Sequence, residues 1–123
     1  FNLSDDSPYM LMVADIHKDK IIKMSEEQEK LFGIEKLNIK RSEIPAVTHV
    51  DGTGRLQTVS KESNEFYYSL INEFYKITGV PVIINTSMNV MGEPIVNTPE
   101  QAYSMIVKTD MDCIVMGNYL VRK

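Results

Sequence analysis

The chain has 123 residues, the length of one domain, and its 43% hydrophobic and 24% charged residues are typical of a globular protein. This composition excludes a disordered, collagen-like or coiled-coil chain. Thirteen basic and 17 acidic residues give a net charge of −4, which argues against a general nucleic-acid binder. No apolar run approaches the roughly 20 residues of a membrane span. We therefore expect a single domain over residues 1–123, without nucleic-acid or membrane partners.

The cysteine content and the first residues narrow the class of protein further. The single cysteine, Cys113, excludes an internal disulfide and a cysteine-based zinc site. It lies in the apolar run 113–116, which predicts a buried small side chain. The first residues are polar and acidic, unlike a signal peptide, so we expect a cytoplasmic protein. Because the chain does not begin with Met, we also expect it to belong to a longer protein.

The first predicted elements are a strand and a short helix. Residues 9–14 form an apolar run of strand length. Ser25 and Gln28 have the spacing of a capping box, and Gly33 can end the helix that follows them. The polar residues 34–43 predict an exposed connection.

A hairpin is predicted next. Pro45 precedes the β-branched run 46–50, and residues 55–59 alternate between apolar and polar. The segment between them, residues 51–54, combines aspartate with two glycines, which is typical of a turn. These features predict two antiparallel strands joined by a four-residue turn.

The clearest predicted helix follows, with Ser63 or Asn64 as its cap. Its apolar side chains recur at helical spacing and predict a face turned to the core. They are Phe66, Leu70, Ile71, Phe74 and Ile77. Gly79 ends this helix, and residues 80–84 predict a short buried strand.

The last third of the chain predicts a helix and two strands. Thr98 and Gln101 form a second capping box, with proline at the first helical position between them. Residues 113–116 and 119–121 predict strands around a Gly-Asn turn. Strands, a hairpin and two good helices together indicate an α/β or α+β fold with one mixed sheet and flanking helices.

The first candidate site is segment 48–55, which reads Thr-His-Val-Asp-Gly-Thr-Gly-Arg. Glycines here let the backbone approach a ligand, and Arg55 can bind a phosphate or carboxylate through two parallel hydrogen bonds. A glycine-rich hairpin with a solvated arginine is the alternative interpretation.

The second candidate site is segment 85–89, which follows the predicted strand 80–84. Ligands of open α/β sheets lie beyond the carboxyl ends of the strands. Ser87 and Asn89 are two residues apart, so in extended backbone their side chains point the same way. The alternative is that these polar residues only satisfy a loop at the end of a strand.

Several other chemistries lack their signatures. The chain has no Gly-x-Ser-x-Gly elbow, no Walker-type phosphate loop, and neither the His-Glu-x-x-His nor the EF-hand pattern. With only two histidines, a serine triad and a metal site are both poorly supported. No metal ligand is assigned from the sequence.

Residues 44–59 and 78–96, in this order and spacing, resemble the His-Val-Asp-Gly-Thr and Asn-Thr-Ser-x-Asn segments of the O-carbamoyltransferase family. This family includes NodU and the carbamoyltransferases of antibiotic biosynthesis. The ending 116–121 also fits its C-terminal domain. The resemblance implies a YrdC-like fold, an open twisted mixed sheet with flanking helices, of which this chain would form a part.

The resemblance also implies an activity. In the family, this domain joins carbamoyl phosphate and ATP, accompanied by Mg²⁺, into carbamoyl-adenylate with release of pyrophosphate. A separate N-terminal domain, expected to hold iron, then transfers the carbamoyl group to a hydroxyl acceptor. The family's upstream arginine-rich segment is absent from this chain, so we expect these residues to be inactive alone.

By resemblance, Arg55 contacts phosphate and Asn85 holds the carbamoyl or nucleotide end, while His49 and Asp51 shape the pocket. The expected catalytic residues are Arg55, Ser87 and Asn89. The expected substrate- and nucleotide-binding residues are His49, Asp51, Gly52, Thr53, Arg55, Asn85, Thr86, Ser87 and Asn89.

Two alternatives of other classes stay open at this point. The chain could be a non-catalytic lobe that docks the N-terminal domain of the same protein. RNA binding, by analogy with other YrdC-like proteins, is disfavoured by the net charge. The sequence leaves a homodimer open.

Overall fold

The computed structural model describes residues 1–123 and contains four α-helices and four short strands. The chain divides into two compact units, Phe1–Ile84 and Asn85–Lys123. Each unit holds one two-stranded antiparallel sheet. The predicted α+β class is confirmed. The single mixed sheet that we expected does not form. Each strand has one antiparallel partner, and no two strands pair in parallel.

The first unit is built around a sheet of two strands from distant parts of the sequence. Strand β1, Met12–Asp15, pairs with strand β2, Thr53–Leu56, and Val13 lies opposite Arg55. The two short helices of the connection are α1 (Glu26–Glu29) and α2 (Ile34–Leu37). Helix α1 begins with the predicted capping box, since the Ser25 hydroxyl accepts from the Gln28 N–H and the Gln28 side chain accepts from the Ser25 N–H.

The predicted hairpin of residues 46–50 and 55–59 does not form. Residues Pro45–Val47 make a 3₁₀ turn instead, and β2 pairs with β1. The physical reason lies in the buried polar groups beside this turn. Arg41 donates to the carbonyl of Thr48, and the Thr48 hydroxyl donates to the carbonyl of Ile44, so local side-chain bonds replace a strand ladder.

Helix α3, Glu65–Thr78, confirms the predicted helix but not its predicted buried face. The Asn64 side chain caps it by accepting from the Tyr67 N–H, and Gly79 ends it at φ 74°. None of its residues is buried. The predicted core stripe lies in solvent, with Phe66 80% and Ile77 83% exposed. Of the stripe only Ile71 is half-buried, and the other half-buried side chains of the helix are Tyr67 and Asn72.

The second unit packs one helix on one sheet. Helix α4, Pro99–Lys108, has the predicted Thr98–Gln101 capping box. Strands β3 (Cys113–Met116) and β4 (Tyr119–Arg122) form an antiparallel pair. Three buried side chains make the core, with methionines and valines packed against them. These buried residues are Ala102, Ile106 and Ile114.

Two further predictions are wrong, each for a reason of sheet geometry. Cys113 is exposed, because alternate side chains of a strand face opposite sides and Ile114 takes the side that α4 covers. Residues 80–84 form no strand, since they have no ladder partner and Pro81 has no N–H to donate. No helix has the length and apolar character needed to cross a membrane.

Candidate functional site

The segment 49–53 is a tight turn held by both backbone and side chains. The N–H of His49 donates to the carbonyl of Thr53 at 2.8 Å, and the N–H of Gly52 donates to the carbonyl of His49 at 3.1 Å. Gly52 has φ 82°, a conformation that costs glycine nothing and other residues much more. The sequence Asp-Gly therefore predicts this turn correctly, although the two flanking strands differ from the prediction.

Three predicted site residues meet in a chain of hydrogen bonds within this turn. Asp51 Oδ1 accepts from the backbone N–H of Thr53 at 3.0 Å and from its hydroxyl at 2.7 Å. The same hydroxyl oxygen lies 2.8 Å from Nδ1 of His49. The two bonds from Thr53 stabilise the charged carboxylate and lower the pKa of Asp51 below its usual value of 3.8.

Replacing Thr53 by valine is expected to raise the pKa of Asp51 back toward 3.8, because both shape and size are kept while the hydroxyl donor is lost. With the folded pKa lowered, these bonds stabilise the turn above pH 3.8, and the stabilisation is lost as the pH falls through the folded pKa. An NMR titration of the Asp51 carboxyl carbon checks this. Thr58→Val, which removes a hydroxyl elsewhere in the same unit, is the control; equal titration of Asp51 in the two variants would contradict the prediction.

Arg55 projects from β2 with an exposed side chain. No carboxylate lies within salt-bridge distance of its guanidinium, and it makes no hydrogen bond within the chain. A guanidinium has five N–H donors, so all five donors of Arg55 remain available to bind an anionic ligand. Thr53 and Arg55 are two residues apart on one strand and therefore share a face of the sheet.

A buried polar cluster that the sequence analysis missed supports this turn. Arg41 is 5% exposed and donates to the carbonyls of Lys36, Ile39 and Thr48, the last at 2.7 Å. Ser42 is fully buried and its hydroxyl lies 2.6 Å from the hydroxyl of Thr48. Single hydroxyl and arginine residues carry no signal of burial in a sequence, so this cluster was not predictable from spacing.

The second predicted segment lies in the other unit, and its two central residues also meet. The Ser87 hydroxyl donates to Asn89 Oδ1 at 2.7 Å. The Asn89 amide donates to the carbonyls of Val90 and Glu93, at 3.3 and 3.1 Å. Asn89 therefore closes the loop 87–93, while Ser87, which is exposed, keeps its acceptor lone pairs for a ligand. Asn85 and Thr86 are exposed at the start of this segment.

A pocket of about 200 Å³ adjoins Asn89 within the second unit. Its lining is mixed, with Glu93, Gln101 and Lys108 among the polar residues and Val90, Val96 and Met105 among the apolar ones. No group of three or more His, Cys, Asp or Glu side chains that could hold a metal ion is present.

Comparison with known proteins places this chain in a family. The family model for the carbamoyltransferase C-terminus matches residues 1–123. An uncharacterized protein of Synechocystis sp. is 51% identical over 123 residues, which are 100% of this chain and 20% of that protein. Nodulation protein NolNO of Sinorhizobium fredii is 51% identical over 84 residues, 68% of this chain and 12% of that protein. Nodulation protein U of Rhizobium tropici is 46% identical over 52 residues, 42% of this chain and 9% of that protein.

The family match covers both predicted segments and the buried polar cluster of Arg41, Ser42 and Thr48. The chain spans about a fifth or less of the length of the curated relatives it matches. Its residues therefore correspond to one region of much larger proteins. From the match over its whole length, the chain belongs to the carbamoyltransferase C-terminus family.

Proposed function

We propose that this chain is the adenylation lobe of an O-carbamoyltransferase. In this role it binds carbamoyl phosphate and ATP and takes part in forming carbamoyl-adenylate. Water breaks the bond between the carbamoyl group and its phosphate, which leaves as inorganic phosphate, and a carbamate oxygen then bonds to the α-phosphorus of ATP as pyrophosphate leaves. Another domain of the same protein transfers the carbamoyl group to a hydroxyl acceptor. Arg55 contacts phosphate, and Ser87, Asn89 and Asn85 contact the nucleotide or carbamoyl end. Mg²⁺ accompanies ATP and neutralises charge on its phosphates.

The observation that carries this proposal is the unpaired guanidinium of Arg55 beside a hydrogen-bonded turn, in a chain that matches the family from end to end. Carbamoyl phosphate and ATP are both strongly anionic, so bringing them together requires cationic donors held in place. Arg55 supplies such a donor without first breaking an ion pair. Catalysis by this lobe is then positioning and charge stabilisation, with no covalent intermediate on the protein.

The test is pyrophosphate release by the full-length protein. Pyrophosphate is expected only when ATP and carbamoyl phosphate are both present, together with a carbamoyl-adenylate product detected by mass spectrometry. Acetyl phosphate in place of carbamoyl phosphate is the substrate control. Release of ADP and phosphate instead of pyrophosphate, or no dependence on carbamoyl phosphate, would overturn the adenylation role.

A second candidate function is docking of the N-terminal domain, and the exposed stripe of α3 favours it. Phe66, Leu70 and Ile77 are each at least half exposed, on a helix that buries no residue. Burying such side chains stabilises an interface by roughly 1.5–3 kcal/mol each. The matched region makes up only 20% and 12% of two curated relatives, so those proteins contain many further residues that can cover such a stripe.

Docking is tested by placing a charge on the stripe. Phe66→Glu is expected to weaken the association of this chain with a separately expressed N-terminal part, measured by calorimetry, while the helix content is kept. Tyr68→Glu places the same charge on the opposite side of α3 and is the matched control. If both variants associate as tightly as the unmodified chain, the stripe is not the docking surface. If the chain forms a dimer when it is alone, and Phe66→Glu abolishes that dimer, the stripe is a homodimer interface instead.

A further inference from the structure

The hydrogen bonds of the turn determine which ring nitrogen of His49 carries the proton. Thr53 has one hydroxyl hydrogen, and it is donated to Asp51 Oδ1. An ionised carboxylate only accepts, so it cannot supply a proton in return. The Thr53 oxygen can therefore only accept from His49 Nδ1, which lies 2.8 Å away. The neutral imidazole consequently carries its hydrogen on Nδ1 and presents Nε2 as a bare acceptor.

That acceptor lies on an exposed side chain and has no partner within the chain. The His49 ring that carries this acceptor is hydrogen-bonded to Thr53. Thr53 in turn shares a face of β2 with Arg55. An anion bound by the Arg55 guanidinium thus lies on the side of the strand that carries the His49 ring. A small ligand held there meets one strong cationic donor and one acceptor, whose ring is oriented by its hydrogen bond to Thr53.

We propose that His49 Nε2 accepts a hydrogen bond from the amino group of carbamoyl phosphate while Arg55 holds its phosphate, so that His49 selects a carbamoyl over an acyl phosphate. This inference rests on the proposed function. The carbamoyl –NH₂ is a donor, whereas the methyl group of acetyl phosphate offers nothing to an acceptor. A site built around a bare acceptor rejects a ligand without the donor, because the acceptor is then desolvated and unpaired.

The tautomer is tested directly in the full-length protein with ¹⁵N-labelled histidine. The long-range ¹H–¹⁵N spectrum is expected to show His49 protonated on Nδ1, with the signal assigned by its loss in His49→Gln. Thr53→Val removes the acceptor and is expected to move the hydrogen to Nε2, the tautomer that a free histidine side chain prefers. A His49 signal with its hydrogen on Nε2 in the unmodified protein would overturn the inference.

Selectivity is tested by calorimetric affinities for carbamoyl phosphate and acetyl phosphate. His49→Ala is expected to weaken the affinity for carbamoyl phosphate about tenfold. It is expected to strengthen the affinity for acetyl phosphate, because the desolvated and unpaired acceptor is then gone. Thr53→Val is also expected to reduce the preference for carbamoyl phosphate over acetyl phosphate. In this variant Nε2 carries the hydrogen and can no longer accept from the carbamoyl amino group. His17→Ala, which removes the other histidine of this chain, is the matched control.

The outcomes separate this inference from the proposed function. If the unmodified protein binds both compounds without preference, or if His49→Ala weakens both equally, the selectivity role of His49 is wrong while the adenylation role stands. If the unmodified protein binds neither compound, the proposed function fails and this inference fails with it. A preference that His49→Ala abolishes and His17→Ala leaves intact supports both.

Discussion

Arg55→Ala is expected to lower carbamoyl-phosphate-dependent pyrophosphate release by the full-length protein about 10- to 100-fold. Hydrogen bonds to charged groups contribute about 1.5–3 kcal/mol, and each 1.4 kcal/mol is about tenfold. The guanidinium makes no bond within the chain, so its removal leaves no orphaned partner and should not disturb the fold. The loss is therefore expected in activity and in the affinity for carbamoyl phosphate, with unchanged thermal unfolding.

Two further variants make this prediction specific to a bidentate arginine. Arg55→Lys keeps the charge but not the planar fork, and we expect it to recover only part of the affinity. Arg122→Ala removes an exposed arginine from β4, at the end of the chain, and is the matched control for charge. Equal activity of Arg55→Ala and Arg122→Ala would remove Arg55 from the site.

Arg41→Ala is expected to destabilise the turn-bearing segment by about 3 kcal/mol. Arg41 is almost fully buried, and its guanidinium joins three backbone carbonyls, two of them in residues 36–39 and one at Thr48. The bond to Thr48 is buried, so its carbonyl is left unpaired at a cost of about 1–3 kcal/mol, and the two part-buried bonds to Lys36 and Ile39 are lost as well. Relief of the buried charge offsets part of this cost, since no carboxylate is paired with Arg41 and its Nε has no partner.

Hydrogen exchange of the full-length protein, read by mass spectrometry on peptides covering residues 36–56, measures this effect. A change of about 3 kcal/mol corresponds to more than 100-fold faster exchange in that segment. Lys40→Ala, which changes the exposed neighbouring residue, is the control and is expected to exchange as the unmodified protein does. Protection of this segment in Arg41→Ala equal to that in Lys40→Ala would show that the buried guanidinium does not hold it together.

Local chemistry explains which predictions from sequence are confirmed. Both capping boxes, the Asn64 cap of α3 and its end at Gly79 depend on residues within four positions of one another, so the pattern contains the whole interaction. The turn at residues 51–52 is equally local, because aspartate and glycine satisfy it by themselves. The contacts of His49 with Thr53 and of Ser87 with Asn89 were not predicted, although they too join residues within four positions of one another.

The sequence by itself determined the family, the α+β class and the helix caps. Only the tertiary structure decided the pairing of β2 with β1, since a strand's partner depends on which distant segment has free N–H and C=O groups. It also decided the burial of Arg41 and Ser42 and the exposure of Cys113 and of the α3 stripe. Periodicity predicts that a helix has an apolar face, but whether that face is buried depends on what packs against it.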